Sequence, residues 1–268
     1  MSVLPAFDLD RPVSLSEALS LISEEAVPYN GGTELLLAMR AGFLRPDRLV
    51  DLKRIPELKR IEVADDQVII GGGATHDEAS GHDGIRATLP VLAETLSKLG
   101  NPRVRAAGTL GGNLCFAEPK SDVATVLMAL DASVRLLGGS PDGTTTRDVP
   151  VAEFIVGPYT TTRTSAEILS QIRIPVDTQS RMTYMKYQTM ERPTVGVAVS
   201  KSPNRTVAVI GAIGPIPEVF QAATLDDLDP ETIAAALDVI EDLTGADDYK
   251  RHIAALLIAR AIEKVAAG

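Results

Sequence analysis

The sequence predicts an α+β fold in three parts: a small parallel α/β lobe, a larger lobe with antiparallel strands, and a C-terminal domain of a three-stranded antiparallel sheet with helices. Three observations predict it. A strand, a glycine turn and a helix follow one another from Ala26 to Met39; hairpin-like runs recur between Arg60 and Ile174; and beyond Pro175 a run of strands is followed by a run of helices. The parts are expected at residues 1–55, 56–175 and 176–268.

In the first part Ser14 and Glu17 have the spacing of a capping box, with Ser14 accepting from the Glu17 amide and Glu17 reaching back to the cap. A helix is expected from there to Ile22, burying Leu15, Ala18, Leu19 and Ile22. Ala26 to Tyr29 reads as a strand, Gly31-Gly32 as a turn, and Thr33 as the start of a helix with Leu35, Leu36 and Met39 on one side. Arg48 to Leu52 is a further strand.

The second part opens with a hairpin, Arg60 to Val63 and Gln67 to Gly71, around Asp65-Asp66. Thr75 and Glu78 form a second capping box, and Leu89 to Leu99 is helical by spacing. Ser121 caps a helix from Asp122 to Leu130 whose Val123, Val126, Leu127 and Leu130 repeat at helical intervals. Val134 to Leu137 and Thr145 to Val149 flank an expected loop, Gly138 to Gly143, and Ile168 to Ile174 is a strand closed by Pro175. In the third part, strands are expected at Met182 to Thr189, Val195 to Ser200 and Thr206 to Ile213. Helices follow from Asp229-Pro230 to Leu243 and from Asp247 to Ala266.

With 268 residues, 45% of them hydrophobic, the chain can bury a substantial core. Its 26 basic and 36 acidic residues leave a net charge of −10, which repels polyanions and argues against nucleic acid as a partner. The N-terminal segment lacks a basic region followed by an apolar run, and no window reaches the ~18 uninterrupted apolar residues of a spanning helix. A cytoplasmic protein without membrane insertion is expected. The single Cys115 excludes an internal disulfide and a thiolate-held iron–sulfur cluster within the chain. His76-Asp77 and His82-Asp83 put two histidines and two carboxylates within eight residues, a conceivable divalent site, but the stretch reads as a short helix and the turn after it with solvated polar residues, so no metal site is expected.

Chemistry is concentrated in glycine. Gly108-Thr109-Leu110-Gly111-Gly112-Asn113-Leu114 is expected to run close to a ligand with its amides exposed, and Asn30-Gly31-Gly32-Thr33-Glu34-Leu35 has the same character. Two separated nests suit a ligand with two phosphates. No GxGxxG follows a strand, and GxxxxGK[ST], HExxH and GxSxG are absent. Nucleoside triphosphate hydrolysis and self-contained hydrolase chemistry are therefore disfavoured.

NGGTELL at 30–36, GGGATHDEA at 71–79, NPRVRAAGTLGGNLCFAEPKSD at 101–122 and EILSQIRIP at 167–175 together resemble the FAD-binding medium subunit of molybdenum hydroxylases. This is the family of carbon monoxide dehydrogenase and xanthine dehydrogenase flavoproteins, and the resemblance runs in order along nearly the whole chain. It implies that Asn30, Gly31, Gly32, Thr33, Glu34 and Leu35 cradle the FAD pyrophosphate and that Thr109, Leu110, Gly111, Gly112 and Asn113 complete the cradle. It implies further FAD contacts at Asp122, with Ser121 beside it, and at Leu169 and Lys186. FAD is expected to lie extended between the first two parts.

By the same resemblance, a large molybdenum-cofactor subunit hydroxylates the organic substrate and a small iron–sulfur subunit relays electrons singly to FAD. Reduced FAD passes them to NAD, a quinone or dioxygen, in an assembly such as a dimer of heterotrimers. No acid, base or nucleophile is assigned to this chain. The residues also leave open an autonomous FAD-dependent oxidase or dehydrogenase, and a scaffold subunit without flavin. Some family members cover the flavin ring with an aromatic residue near Met190 to Thr194. This chain has none there, so either another element, such as Tyr184 or Tyr187, covers the ring or the ring is more exposed. The acidic runs Asp226 to Glu231 and Glu241 to Asp248 are expected to be solvated surface.

Overall fold

A computed structural model describes residues 4–140 and 143–267. Its small lobe is a three-stranded, all-parallel sheet in the order β1-β3-β2, from β1 (Asp8–Asp10), β2 (Ala26–Tyr29) and β3 (Arg48–Asp51). β1, an Asp-Leu-Asp segment with no apolar run, escapes a periodicity reading. Helix α1 (Leu15–Leu21) is capped by Ser14, whose side chain accepts from the Glu17 amide. The return bond differs from expectation, because Glu17 accepts from the Val13 amide rather than from the cap. Helix α2 (Leu35–Ala41) begins after the glycine turn rather than at Thr33, and it buries only Met39. The turn therefore sits at the carboxyl end of parallel strand β2, where open α/β sheets place ligands.

The larger lobe is a five-stranded antiparallel sheet, ordered β4-β5-β10-β6-β7. It comprises β4 (Ile61–Val63), β5 (Gln67–Gly71), β6 (Ser133–Ser140), β7 (Gly143–Pro150) and, after short β8 (Ile155–Gly157) and β9 (Thr160–Thr161), β10 (Glu167–Pro175). The expected loop at Gly138 to Gly143 is instead strand as far as Ser140 and again from Gly143; Pro141 and Asp142 lie outside the described residues, as do Met1 to Val3 and Gly268.

Helices α3 (His76–Gly81), α4 (Asp83–Thr88), α5 (Pro90–Ser97), α6 (Pro102–Ala107), α7 (Leu110–Phe116), α8 (Asp122–Ala129) and α9 (Val151–Phe154) accompany the sheet. The Thr75–Glu78 capping box is complete. His76, expected to be solvated, is 2% exposed, while α4 and α6 fall where no helix was expected.

The C-terminal sheet has four strands, not three: β11 (Arg181–Tyr187), β12 (Val195–Ser202), β13 (Arg205–Gly211) and β14 (Glu218–Ala222), all antiparallel neighbours. Pro215 and Pro217 break the pattern ahead of β14 and hide it. Helix α10 (Pro230–Ala236) stops well before Leu243, and α11 (Asp247–Ala267) closes the chain. One face of this sheet buries Val197, Val199 and Ile210 against α10 and α11, whose Ala254, Leu257, Ile258 and Ala261 recur at helical spacing. Its other face is continuous with the main core, where Ala198, Val207 and Val209 join Val123, Val126 and Leu127 of α8. The helix that begins at Asp122 thus packs on the C-terminal sheet on one side and against α5, α7 and α9 on the other.

The acidic run near the end is not simply solvated. Asp242 pairs with Lys120 and, at 2.9 Å, with Lys250, a lysine with 0% exposure whose Nζ also donates to the Ile240 carbonyl at 2.7 Å. Hydrogen bonds from both lysines and from Thr244 hold the Asp242 carboxyl well below the usual range, against the opposing effect of its partial burial.

Candidate functional site

The glycine segments converge on a cleft of about 90 Å³ lined by Pro28, Asn30, Leu52 and Leu58 from the small-lobe side, Gly72 and Gly73 after β5, Gly111, Gly112 and Cys115 of α7, and Arg163, Glu167, Ile168 and Leu169 around β10. Backbone packs on backbone here. A Cβ at Gly31 would lie 2.3 Å from the Ala107 carbonyl oxygen, and one at Gly111 2.5 Å from that of Gly72. Gly72 in turn sits on Leu169, and the Asn30 side-chain amide lies beside Gly73.

The two predicted nests differ. Among the described residues, the amides of Gly31, Gly32, Thr33, Glu34 and Leu35 donate to no acceptor, and Gly32 sustains the turn at φ 72°. Unpaired amides in such a turn are the kind of donors that an anion-binding nest uses. The second segment is corrected: its glycines are the first turn of a helix, and its amides are already used. Leu110 donates to the Ala74 carbonyl, Gly111 to that of Gly72 at 3.0 Å, Asn113 to that of Thr109, and Gly112 to the N-cap side chain of Thr109 at 3.1 Å. What this segment still offers is the Thr109 hydroxyl proton and the Asn113 carboxamide N–H groups. A Cβ at Gly112 would meet only Thr109 Oγ1, at 2.8 Å, so its cleft side is open.

Around the open turn the charges are paired. Glu34 accepts from Arg192 at 2.8 Å; the same guanidinium lies 3.7 Å from Glu118, which also accepts from Tyr159 at 3.0 Å. Lys53 Nζ sits 3.2 Å from Asp51 and 3.7 Å above the Tyr29 ring, and that ring lies under Gly32. Glu167, held bidentately by Arg147, is lowered to about 2 chiefly by those hydrogen bonds. Burial pushes the Cys115 thiol up to about 11, so it lines the cleft as a neutral group. The His76 ring packs behind Gly108 and is lowered to about 4 by burial, against the opposing Asp77. Its Nδ1 has no partner among the described residues.

Asp122 lies beyond α7, coupled to it through Ser121, whose hydroxyl donates to Asn113 Oδ1 at 2.7 Å. The Asp122 carboxylate is 6% exposed and accepts from Lys186 at 2.7 Å and from the Tyr184 hydroxyl. Lys186 is thus half of an ion pair rather than a free cation. Residues alternate along β11, so Tyr184 and Lys186 face Asp122 whereas Tyr187 faces α11, where its ring meets Tyr249 edge-on at 6.4 Å. Tyr187 thus packs toward α11, and the Tyr184 hydroxyl is committed to Asp122. Sequence reading missed Arg163 and Arg192, which have no motif around them. It also left Gly72 and Gly73 out of the site, although GGG at a strand end was a usable signal.

Open strand-end amides, a glycine-walled cleft and a buried acceptor define a binding protein for a diphosphate-bearing cofactor. Residues 5–177 match the family model described as FAD binding domain in molybdopterin dehydrogenase, and the chain belongs to that family. It is 30% identical to the carbon monoxide dehydrogenase medium chain of Hydrogenophaga pseudoflava over 96% of both chains. It is also 30% identical to the nicotine 6-hydroxylase medium subunit of Paenarthrobacter nicotinovorans, over 98% of this chain and 99% of that one. A solved carbon monoxide dehydrogenase from Hydrogenophaga pseudoflava superimposes with a TM-score of 0.89 at 28% identity, covering 99% of each chain. The chain is accordingly an FAD-binding oxidoreductase subunit.

Proposed function

We propose that this chain is the flavoprotein of a molybdenum hydroxylase complex, receiving electrons singly from iron–sulfur clusters of a small partner subunit and passing them to NAD, a quinone or dioxygen. A large subunit's molybdenum cofactor is then the place of substrate hydroxylation, in a dimer of heterotrimers in the cytoplasm. Among the described residues, no helix is long and apolar enough to cross a membrane. The proposed working units are residues 1–55 and 56–175, with the cofactor at their seam, and 176–268.

The observation that carries this reading is the run of unpaired amides from Gly31 to Leu35 at the edge of a cleft whose glycines leave no room for a Cβ elsewhere. Bound FAD supplies the ability to exchange electrons one or two at a time. This chain's residues bind and orient. The Gly31–Leu35 amides take up phosphate charge, helped by side-chain donors of Thr109 and Asn113. Arg192 neutralises Glu34, which otherwise opposes an anion on the neighbouring amides. Pro28, Leu52, Leu58, Ile168 and Leu169 give the cleft an apolar wall; beyond α7, Ser121 bonds Asn113 and Asp122 pairs with Lys186, a polar group that we assign to a further contact with the cofactor.

The test is Gly112→Val in the full chain. Its Cβ meets only the Thr109 side chain while its branches enter the cleft, so the variant should fold and purify without FAD. A Gly112→Val protein that carries a full complement of FAD overturns the cradle assignment.

A further inference from the structure

The Asp122 cluster contains a residue that the motifs do not assign. Tyr184 projects from β11 toward the start of α8, and its hydroxyl donates to Asp122 Oδ1 while Lys186 donates to Oδ2. Each carboxylate oxygen is left with one further acceptor position. The hydroxyl itself is built in. On the neighbouring strand β12, Gly196 stands opposite Lys186 in register, and a Cβ there would lie 2.5 Å from the Tyr184 oxygen. Burial, with Asp122 alongside, holds Tyr184 well above the usual phenol range, so it remains a donor throughout the physiological range.

We propose that Tyr184 is a positioning residue: it fixes the Asp122 carboxylate so that the free acceptor positions meet a hydroxyl or ring N–H of the cofactor. This rests on the reading of Asp122 as a cofactor contact. Lys186 and Tyr184 act from opposite oxygens, as two stays on one group, and Ser121 with Asn113 ties that group to α7. Gly196 belongs to the same device. Its missing side chain is the space in which the phenol reaches α8.

The experiment is FAD titration of the full-length apoprotein, followed by flavin fluorescence quenching, with melting temperature recorded in parallel. Tyr184→Phe keeps the ring in the core and removes the donor; loss of one hydrogen bond to a charged group should weaken FAD binding about ten-fold. Gly196→Ala, which displaces the hydroxyl without touching Asp122, should weaken it in the same way. In an Asp122→Asn background both substitutions should lose their effect on affinity, to within about two-fold, because the cycle isolates what acts through that carboxylate. Equal losses in both backgrounds, tracking a lower melting temperature, would assign Tyr184 to packing alone and overturn the proposal. An unsubstituted chain that takes up no FAD would overturn the cofactor reading itself.

Discussion

The turn after β2 and the start of α7 look alike as sequence, each a glycine pair next to Thr and Asn, but they do opposite work. In the first, Gly32 turns the chain at φ 72° and the following amides point at nothing. In the second, Gly111 lets two backbones touch, and its amides are spent on Gly72, Ala74 and Thr109. The first leaves its donors open; the second locks α7 against the end of β5. Glycine thus marks close approach, and only the hydrogen-bond inventory tells whether the approaching partner is a ligand or the protein itself.

That contrast can be broken most severely at Gly111. Gly111→Val would place side-chain atoms inside Gly72 backbone, and a loss of about 3 kcal/mol or more in denaturant unfolding is expected, with FAD loss secondary. A variant as stable as the parent would show that the second segment is not a lock.

His76 lies behind both segments, since its ring backs Gly108 and Gly108 backs Gly31. Its folded pKa of about 4 lies below the ordinary 6.5, so the unfolded chain binds the proton first. Stability attributable to this group is complete above pH 6.5, falls as pH drops toward 4, and is lost below that, by about 3 kcal/mol in all. His76→Gln should flatten this part of the pH profile of chemical unfolding, and an unchanged profile would remove His76 from beneath the site.

The mildest test is the cap. Thr109→Ala should cost about 1 kcal/mol of stability, and Thr109→Ser should restore it, because the α7 cap bond is a side-chain oxygen accepting from Gly112. Unequal recovery, with stability restored and FAD affinity not, would separate the cap from a role of the methyl-bearing side chain in the cleft.

Where chemistry is local, the sequence was legible. Strand β2, the Thr75–Glu78 box and α8 with its Ser121 cap all follow from adjacent residues. Helix α7 was not, because glycine pairs have poor helix propensity and α7 is stabilised by its tertiary contacts with Gly72 and Ala74. At the site, the same division holds. Asn30 to Leu35 are visible as a turn, whereas Arg192 on Glu34 and Tyr184 on Asp122 are pairings across long stretches of chain that no spacing encodes.

The junction of Lys120, Asp242 and Lys250 bears on how this molecule can be divided. Lys120 sits immediately before Ser121, and its counter-ion comes from the segment between α10 and α11. Cutting the chain where the family match ends, at 177, would strip Lys120 of its anion and uncover the α8 face that packs on β12 and β13. The amino-terminal fragment alone is therefore expected to retain the cofactor poorly. Proteolytic nicking near that boundary should be silent while the pieces stay associated, and separating them should empty the cleft.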